Sequence, residues 1–191
     1  KGETVLDQRL DLEAPGGRLK SLLCSAVPLP GGNDGPAGAV AVYQDVSETV
    51  RAEKSMRELA AIVEKTDDIV YVTDRSGIFE YVNPSFETVT GYARHEVLGR
   101  TPAVLKSGRH DQGFYEGLWT TILAGKPFRE VVTNRKKSGE LYNEAKTITP
   151  IRNEHGNIAH FVSTGKDITE RVRAEDALRR VNERLDATLR T

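Results

Sequence analysis

The sequence predicts an α+β fold: a five-stranded antiparallel sheet covered by short helices and flanked by two linker helices. Three observations carry this reading. Five short strand-like runs are bounded by Gly-, Pro- and Asn-rich turns. The helical segments fall together after the second of these runs instead of alternating with strands. And the chain repeats part of itself at one fixed offset.

The repeat is the firmest of the three. Asp45-Val46-Ser47-Glu48-Thr49-Val50-Arg51-Ala52-Glu53 returns as Asp167-Ile168-Thr169-Glu170-Arg171-Val172-Arg173-Ala174-Glu175, an offset of 122. The same offset carries Gly17 to Gly139, Leu19 to Leu141 and Pro28 to Pro150 without a gap. Over residues 45–59 against 167–181, seven of fifteen pairs are identical, where chance gives roughly one. A period of this length is too long for a solenoid and suits tandem domains.

Taken in order, residues 17–27 and 37–44 read as two strands, joined by a loop over 28–36 dense in Gly and Pro. Residues 46–65 read as a helix, with Asp45 and Glu48 in a capping-box pattern. Asp68–Asp74 and Ile78–Asn83 read as strands around the Asp74-Arg75-Ser76-Gly77 turn. Asn83-Pro84 opens short helical segments to about Gly99, and Asp111–Leu123 reads as a longer helix stopped at Gly125. Three strands follow, 128–135, 140–151 and 158–166, and Asp167 with Glu170 caps a last helix from Ile168 to near Leu189.

The expected organisation follows. Residues 1–45 are the last strands of a truncated preceding domain, and 46–66 a linker helix. Residues 67–167 form one complete domain of the same type, and 168–191 a C-terminal signalling helix. The chain begins at Lys1, which reads as a piece of a longer protein.

Composition excludes several classes. With 27 basic and 28 acidic residues in 191, the net charge is −1, so nothing draws the whole chain to nucleic acid or anionic lipid. No stretch approaches the ~18 apolar residues of a membrane span, so no direct membrane contact is expected and the cytoplasm is the plain reading. A single cysteine, Cys24, excludes an intrachain disulfide framework and a multi-cysteine metal site.

At this point the residues resemble the PAS family of sensor domains with its C-terminal PAC motif. The resemblance rests on Asp74–Phe86 (DRSGIFEYVNPSF), Thr90-Gly91-Tyr92 and Glu96-Val97-Leu98-Gly99-Arg100. It continues through Asn134-Arg135-Lys136-Lys137-Ser138-Gly139 to Pro150-Ile151 and Gly165-Lys166-Asp167-Ile168-Thr169-Glu170-Arg171. It implies a sensory and relay module of a signal-transduction protein, with a histidine kinase or diguanylate cyclase (a cyclic-di-GMP enzyme) of a two-component or related system downstream. It also implies a ligand pocket between sheet and helices, whose expected lining is Phe86, Trp119, Asn134 and Ser163.

The cofactor stays unassigned. Asn134 matches the position where flavin-binding relatives (FAD or FMN) place an asparagine on the ring, and an amide suits a paired donor and acceptor edge. Trp119 resembles the corresponding helix of redox-sensing flavin domains. The second flavin asparagine falls at Glu144, and the switching glutamine at Gly165. The adduct-forming cysteine of the photosensory LOV subfamily falls at Pro102, so a thiol photoadduct is excluded. Haem is the weaker alternative, with His110 near the place of an axial ligand in a segment that reads as exposed; His95 and His155 read as surface residues, and His160 has no visible partner. No metal cluster is expected from four scattered histidines.

Catalysis is not expected, because the chain lacks a phosphate loop, a nucleophile elbow, a phosphoacceptor-histidine box and a cyclase signature. Signal relay is expected at Asp167, Ile168 and Thr169, the only covalent exit from the sheet. Ala174, Leu178, Val181 and Leu185 step by four, three and four, a coiled-coil-like seam mirrored by Ala52, Met56, Leu59 and Val63. The seam predicts a homodimer through the linker helices; packing of each stripe on its own domain is the competing reading. The functional alternatives are a sensor of a small ligand or redox state, a ligand-free dimerisation and protein-interaction module, and a flavin (FAD or FMN) redox sensor.

Overall fold

The computed structural model of the chain describes residues 4–31 and 37–189. Residues 32–36 of the 28–36 loop and the side chain of Leu185 lie outside the described residues. The chain divides into two compact units, residues 1–61 and 62–191.

The first unit holds three antiparallel strands and most of a helix: β1 Val5–Ala14, β2 Arg18–Leu29, β3 Gly38–Asp45 and α1 Ser47–Lys65. The sequence reading placed only two strands here. The third, β1, pairs with β2 from Val5↔Ala26 to Ala14↔Arg18, in a stretch to which the sequence assigns no element. Cys24 is buried on β2.

The second unit follows with β4 Ile69–Asp74, β5 Phe79–Val82, α2 Pro84–Thr90, α3 Arg94–Val97 and a 3-10 turn at Pro102–Leu105. Then come α4 Gln112–Leu123, β6 Phe128–Arg135, β7 Leu141–Arg152, β8 Ile158–Asp167 and α5 Thr169–Leu189. The sheet order is β5-β4-β8-β7-β6, all antiparallel, which is the predicted α+β arrangement. The 3-10 turn lies in a stretch to which the sequence assigns no element.

The repeat is visible as strand register. Leu22 faces Asp45 across β2 and β3, and Glu144 faces Asp167 across β7 and β8, both pairs 122 residues apart.

Asn83 organises the front of the second unit. It is fully buried, so its amide must be satisfied inside the protein. Its Oδ1 accepts from the amides of Val70 (2.9 Å) and Phe86 (3.0 Å), which caps α2 and holds β4. Its Nδ2 donates to the carbonyls of Asp68 (2.9 Å) and Val63 (3.2 Å), which pins the last turn of α1. Pro84 supplies the preset φ of a first helical turn, and Gly91 closes α2 at φ +75°.

Two apolar clusters fill the space between sheet and helices. Tyr71, Phe79 and Phe86 meet edge to face, with centroids 5.0–6.0 Å apart, beside Ile69, Val82 and Leu105. Ile122, Phe128, Val132, Ile148 and Phe161 form the other, under α4. Burial of each large side chain contributes ~1.5–3 kcal/mol. Gly77, at φ +83°, lies so close under Trp119 that a Cβ there would meet the indole at 2.8 Å.

Candidate functional site

A cavity of about 310 Å³ lies between the two clusters. Its walls are mostly apolar and aromatic: Tyr115, Leu118, Trp119, Ile122, Ile148 and Phe161 line it. Trp119 is 37 % exposed and packs edge-on against Phe161 at 5.9 Å. Asn134, Lys146, Tyr71 and Thr73 bring polar atoms to it.

Alternation along β7 explains its polar floor. Tyr142, Glu144, Lys146 and Ile148 fall on one face by the two-residue period, and all four are buried. Lys146 Nζ lies 3.2 Å from Glu144 Oε2 and donates to the Tyr71 hydroxyl at 3.0 Å. The same Oε2 accepts from Asn134 Nδ2 at 2.8 Å and from the Tyr142 hydroxyl at 3.3 Å. Glu144 Oε1 has no partner among the described residues and lies over Gly165, where any Cβ would overlap it. Glycine on β8 is thus what makes room for the carboxylate.

Charge in this floor is balanced. Burial alone would push the Lys146 ammonium down, but the Glu144 carboxylate and Tyr71 outweigh it, and the net direction is up. Burial first, then Glu144, holds the Tyr142 phenol far above its ordinary range. Lys146 is therefore a cation and Tyr142 neutral near pH 7.

Of the four expected lining residues, the structure brings Asn134 and Trp119 to the cavity. Phe86 and Ser163 are not among its lining residues. Phe86 sits one layer away, packed on Tyr71 and Phe79 from α2. Ser163 faces inward between Tyr71 and Ile148 on the sheet, and its buried hydroxyl has no partner. Sequence reading missed Lys146 and Tyr71. Tyr142 and Ile148 set the phase of β7, and that phase already put Glu144 and Lys146 on the inner face.

The exit from the sheet is built on the same strand. Between Tyr142 and Glu144, the backbone of Asn143 points along the sheet, where its carbonyl accepts from the Ile168 amide at 2.8 Å. Its own amide donates to Thr169 Oγ1 at 2.8 Å. Asp167 Oδ1 accepts from the Thr169 amide at 2.9 Å and from its hydroxyl. The first unit repeats every part: Ser21 for Asn143, Val46 for Ile168, Ser47 for Thr169, Asp45 for Asp167. Asp45 is held well below the usual carboxylate range by Ser47 first and Lys20 second. Among the described residues the expected capping boxes do not close: neither Glu48 nor Glu170 returns a hydrogen bond to its helix start, and the aspartate two residues back accepts from the Ser47 or Thr169 amide instead.

The PAS fold model matches residues 57–168. The chain belongs to the PAS family. Over 128 residues it is 30 % identical to the nitrogen fixation regulatory protein of Klebsiella oxytoca, covering 67 % of this chain and 26 % of that protein. Over 89 residues it is 36 % identical to the blue-light-activated histidine kinase of Brucella canis, covering 47 % of this chain and 18 % of that one. An RNA-binding light-oxygen-voltage receptor shares the fold, with a TM-score of 0.63 at 22 % identity over 88 % of this chain and 45 % of that one. The chain spans about a quarter of the length of the nitrogen fixation regulator.

The PAS cavity does not fit a flavin well. A flavin edge needs acceptors as well as donors. Glu144, at the second flavin position, spends Oε2 on three donors and turns Oε1 onto Gly165. Pro102 lines the cavity at the LOV cysteine position and offers no thiol. Haem fits no better. His110 Nε2 accepts from the Thr133 amide at 2.9 Å, and the ring stacks on Phe114 at 4.1 Å, so it is a part-buried structural residue rather than a free ligand. His160 does have a partner, Glu80, at 2.8 Å. No helix of the described residues is long and apolar enough to cross a membrane.

Proposed function

We propose that this chain is a non-catalytic sensory and relay PAS module of a larger signalling protein. A small molecule enters the cavity against Trp119, Asn134 and Lys146 and shifts β7. The shift leaves through Asp167, Ile168 and Thr169 into α5, and a homodimer of linker helices carries it to an output domain such as a histidine kinase or a cyclic-di-GMP enzyme. The regulator and kinase that the chain resembles support that setting.

One observation carries the reading. Neighbouring residues of a single strand serve both ends of the path: Lys146 lines the cavity and is paired with Glu144 behind it, and Asn143 between Tyr142 and Glu144 holds the start of α5 through two hydrogen bonds. A ligand that displaces Lys146 strains the same strand that holds that attachment, and packed elements transmit strain.

A dimer is supported by what the chain leaves uncovered. Leu178 is 63 % and Val181 54 % exposed on α5, and Met56 and Leu59 are exposed on α1. An apolar stripe at heptad-like spacing that its own domain does not cover suits a second copy. The test is amide hydrogen exchange of the intact chain with and without 2-acetonaphthone as cavity probe. The proposal expects altered exchange at residues 168–172; a bound probe that leaves these amides unchanged overturns the relay.

A further inference from the structure

Three side chains facing the cavity carry hydrogen-bond donors with capacity to spare, beside the acceptors Asn134 Oδ1 and the Thr73 hydroxyl. Lys146 Nζ has three N–H bonds, and its two partners, Tyr71 Oη and Glu144 Oε2, leave one uncommitted. The Tyr71 hydroxyl accepts from Lys146, and among the described residues its own proton has no acceptor. The Tyr115 hydroxyl is buried with no partner among the described residues. All three side chains line the cavity. The obvious acceptor nearby, Glu144, is already committed at Oε2 and covered by Gly165 at Oε1.

Charge narrows the choice further. Lys146 is matched by Glu144, so the buried set is neutral before anything binds. An anionic ligand would place a second negative charge beside Glu144, with the other lining cation, Lys106, exposed to solvent over the Tyr115 ring; a cationic one would meet the Lys146 ammonium, and both are costly in an apolar pocket. The space, about 310 Å³ between Trp119, Phe161 and Tyr115, suits a flat bicyclic or tricyclic body.

We propose that the cavity is built for an uncharged, planar aromatic molecule that presents a carbonyl oxygen to Lys146, Tyr71 and Tyr115. This rests on the sensor reading and specifies its ligand class. The carbonyl takes the spare donors, the aromatic body takes the apolar walls, and the Lys146–Glu144 pair stays intact. Tyr115 is then a specificity residue: its unpartnered hydroxyl destabilises the empty domain and is satisfied only by a ligand.

Calorimetric titration of the full chain with four near-isosteric probes tests this: 2-acetonaphthone, 2-ethylnaphthalene, 2-naphthoate and 2-naphthylmethylammonium. The ketone should bind on the order of 10-fold tighter than 2-ethylnaphthalene, and tighter than either ion. Tyr115→Phe should erase much of that preference, leave 2-ethylnaphthalene binding unchanged and fold at least as stably as the parent. Equal binding of ketone and hydrocarbon, or preference for either ion, overturns the ligand class while the sensor reading stands. Binding of none of the four overturns both.

Discussion

The Asn143 amide donates to Thr169 Oγ1 at 2.8 Å, and 122 residues earlier the Ser21 amide donates to Ser47 Oγ at 2.9 Å. Both hydroxyls also bond the preceding aspartate. One latch thus starts both helices. Thr169→Ala should cost ~1 kcal/mol in chemical denaturation, the loss of a cap-like bond. Thr169→Ser, which keeps the hydroxyl, should restore most of it.

The buried pair on β7 gives an asymmetric prediction. Lys146→Met leaves the Glu144 carboxylate buried without its cation and should destabilise by ~3–5 kcal/mol. Glu144→Leu combined with Lys146→Met removes both charges, and the double variant should lie close to the parent or above it in urea denaturation.

Gly165 is required by contact rather than by backbone conformation. Gly165→Ala puts a methyl group into the Glu144 carboxylate and should cost ~1–3 kcal/mol. In a Glu144→Ala background the same change should be nearly neutral, which a double-mutant cycle measures directly.

Tyr81 sets part of the alkaline limit. Burial first, then its hydrogen bond to Glu64 at 2.6 Å, pushes the phenol up to about 12. The unfolded phenol titrates near ~10. The folded state therefore keeps its proton longer, so this contribution is complete below pH ~10 and lost as pH rises toward 12. Denaturation followed from pH ~9 to ~12 should fall less steeply in Tyr81→Phe than in the parent.

The helical seam predicts an oligomeric state. Leu178→Lys with Val181→Lys puts two charges on the exposed stripe of α5. Sedimentation equilibrium should show a dimer for the parent and a monomer for the variant, with unchanged near-UV circular dichroism. A monomeric parent contradicts the dimer.

Most of the fold was legible because its signals are local. Asn83-Pro84 before a short helix, Gly91 after it, and Ser76-Gly77 and Ser138-Gly139 at strand turns each require a particular backbone conformation. β1 was not legible, because an isolated strand of alternating charged and apolar residues gains its identity only from pairing with β2. The site was half legible. Family likeness pointed to Asn134 and Trp119, which line the cavity, and to Phe86 and Ser163, which are buried outside its lining. Lys146 was readable from the phase of Tyr142 and Ile148 along β7. Its charge hides it, because a charged residue in a strand ordinarily belongs to the solvent face.

The most direct test of the central claim compares the parent with Thr169→Ala by hydrogen exchange, with and without saturating 2-acetonaphthone. The account predicts that both proteins bind the probe alike and gain protection on β6 and β7. Only the parent should then change exchange at residues 168–172. An equal change there in both proteins, or no change in the parent, would contradict transmission from the cavity floor through Asn143 and Thr169.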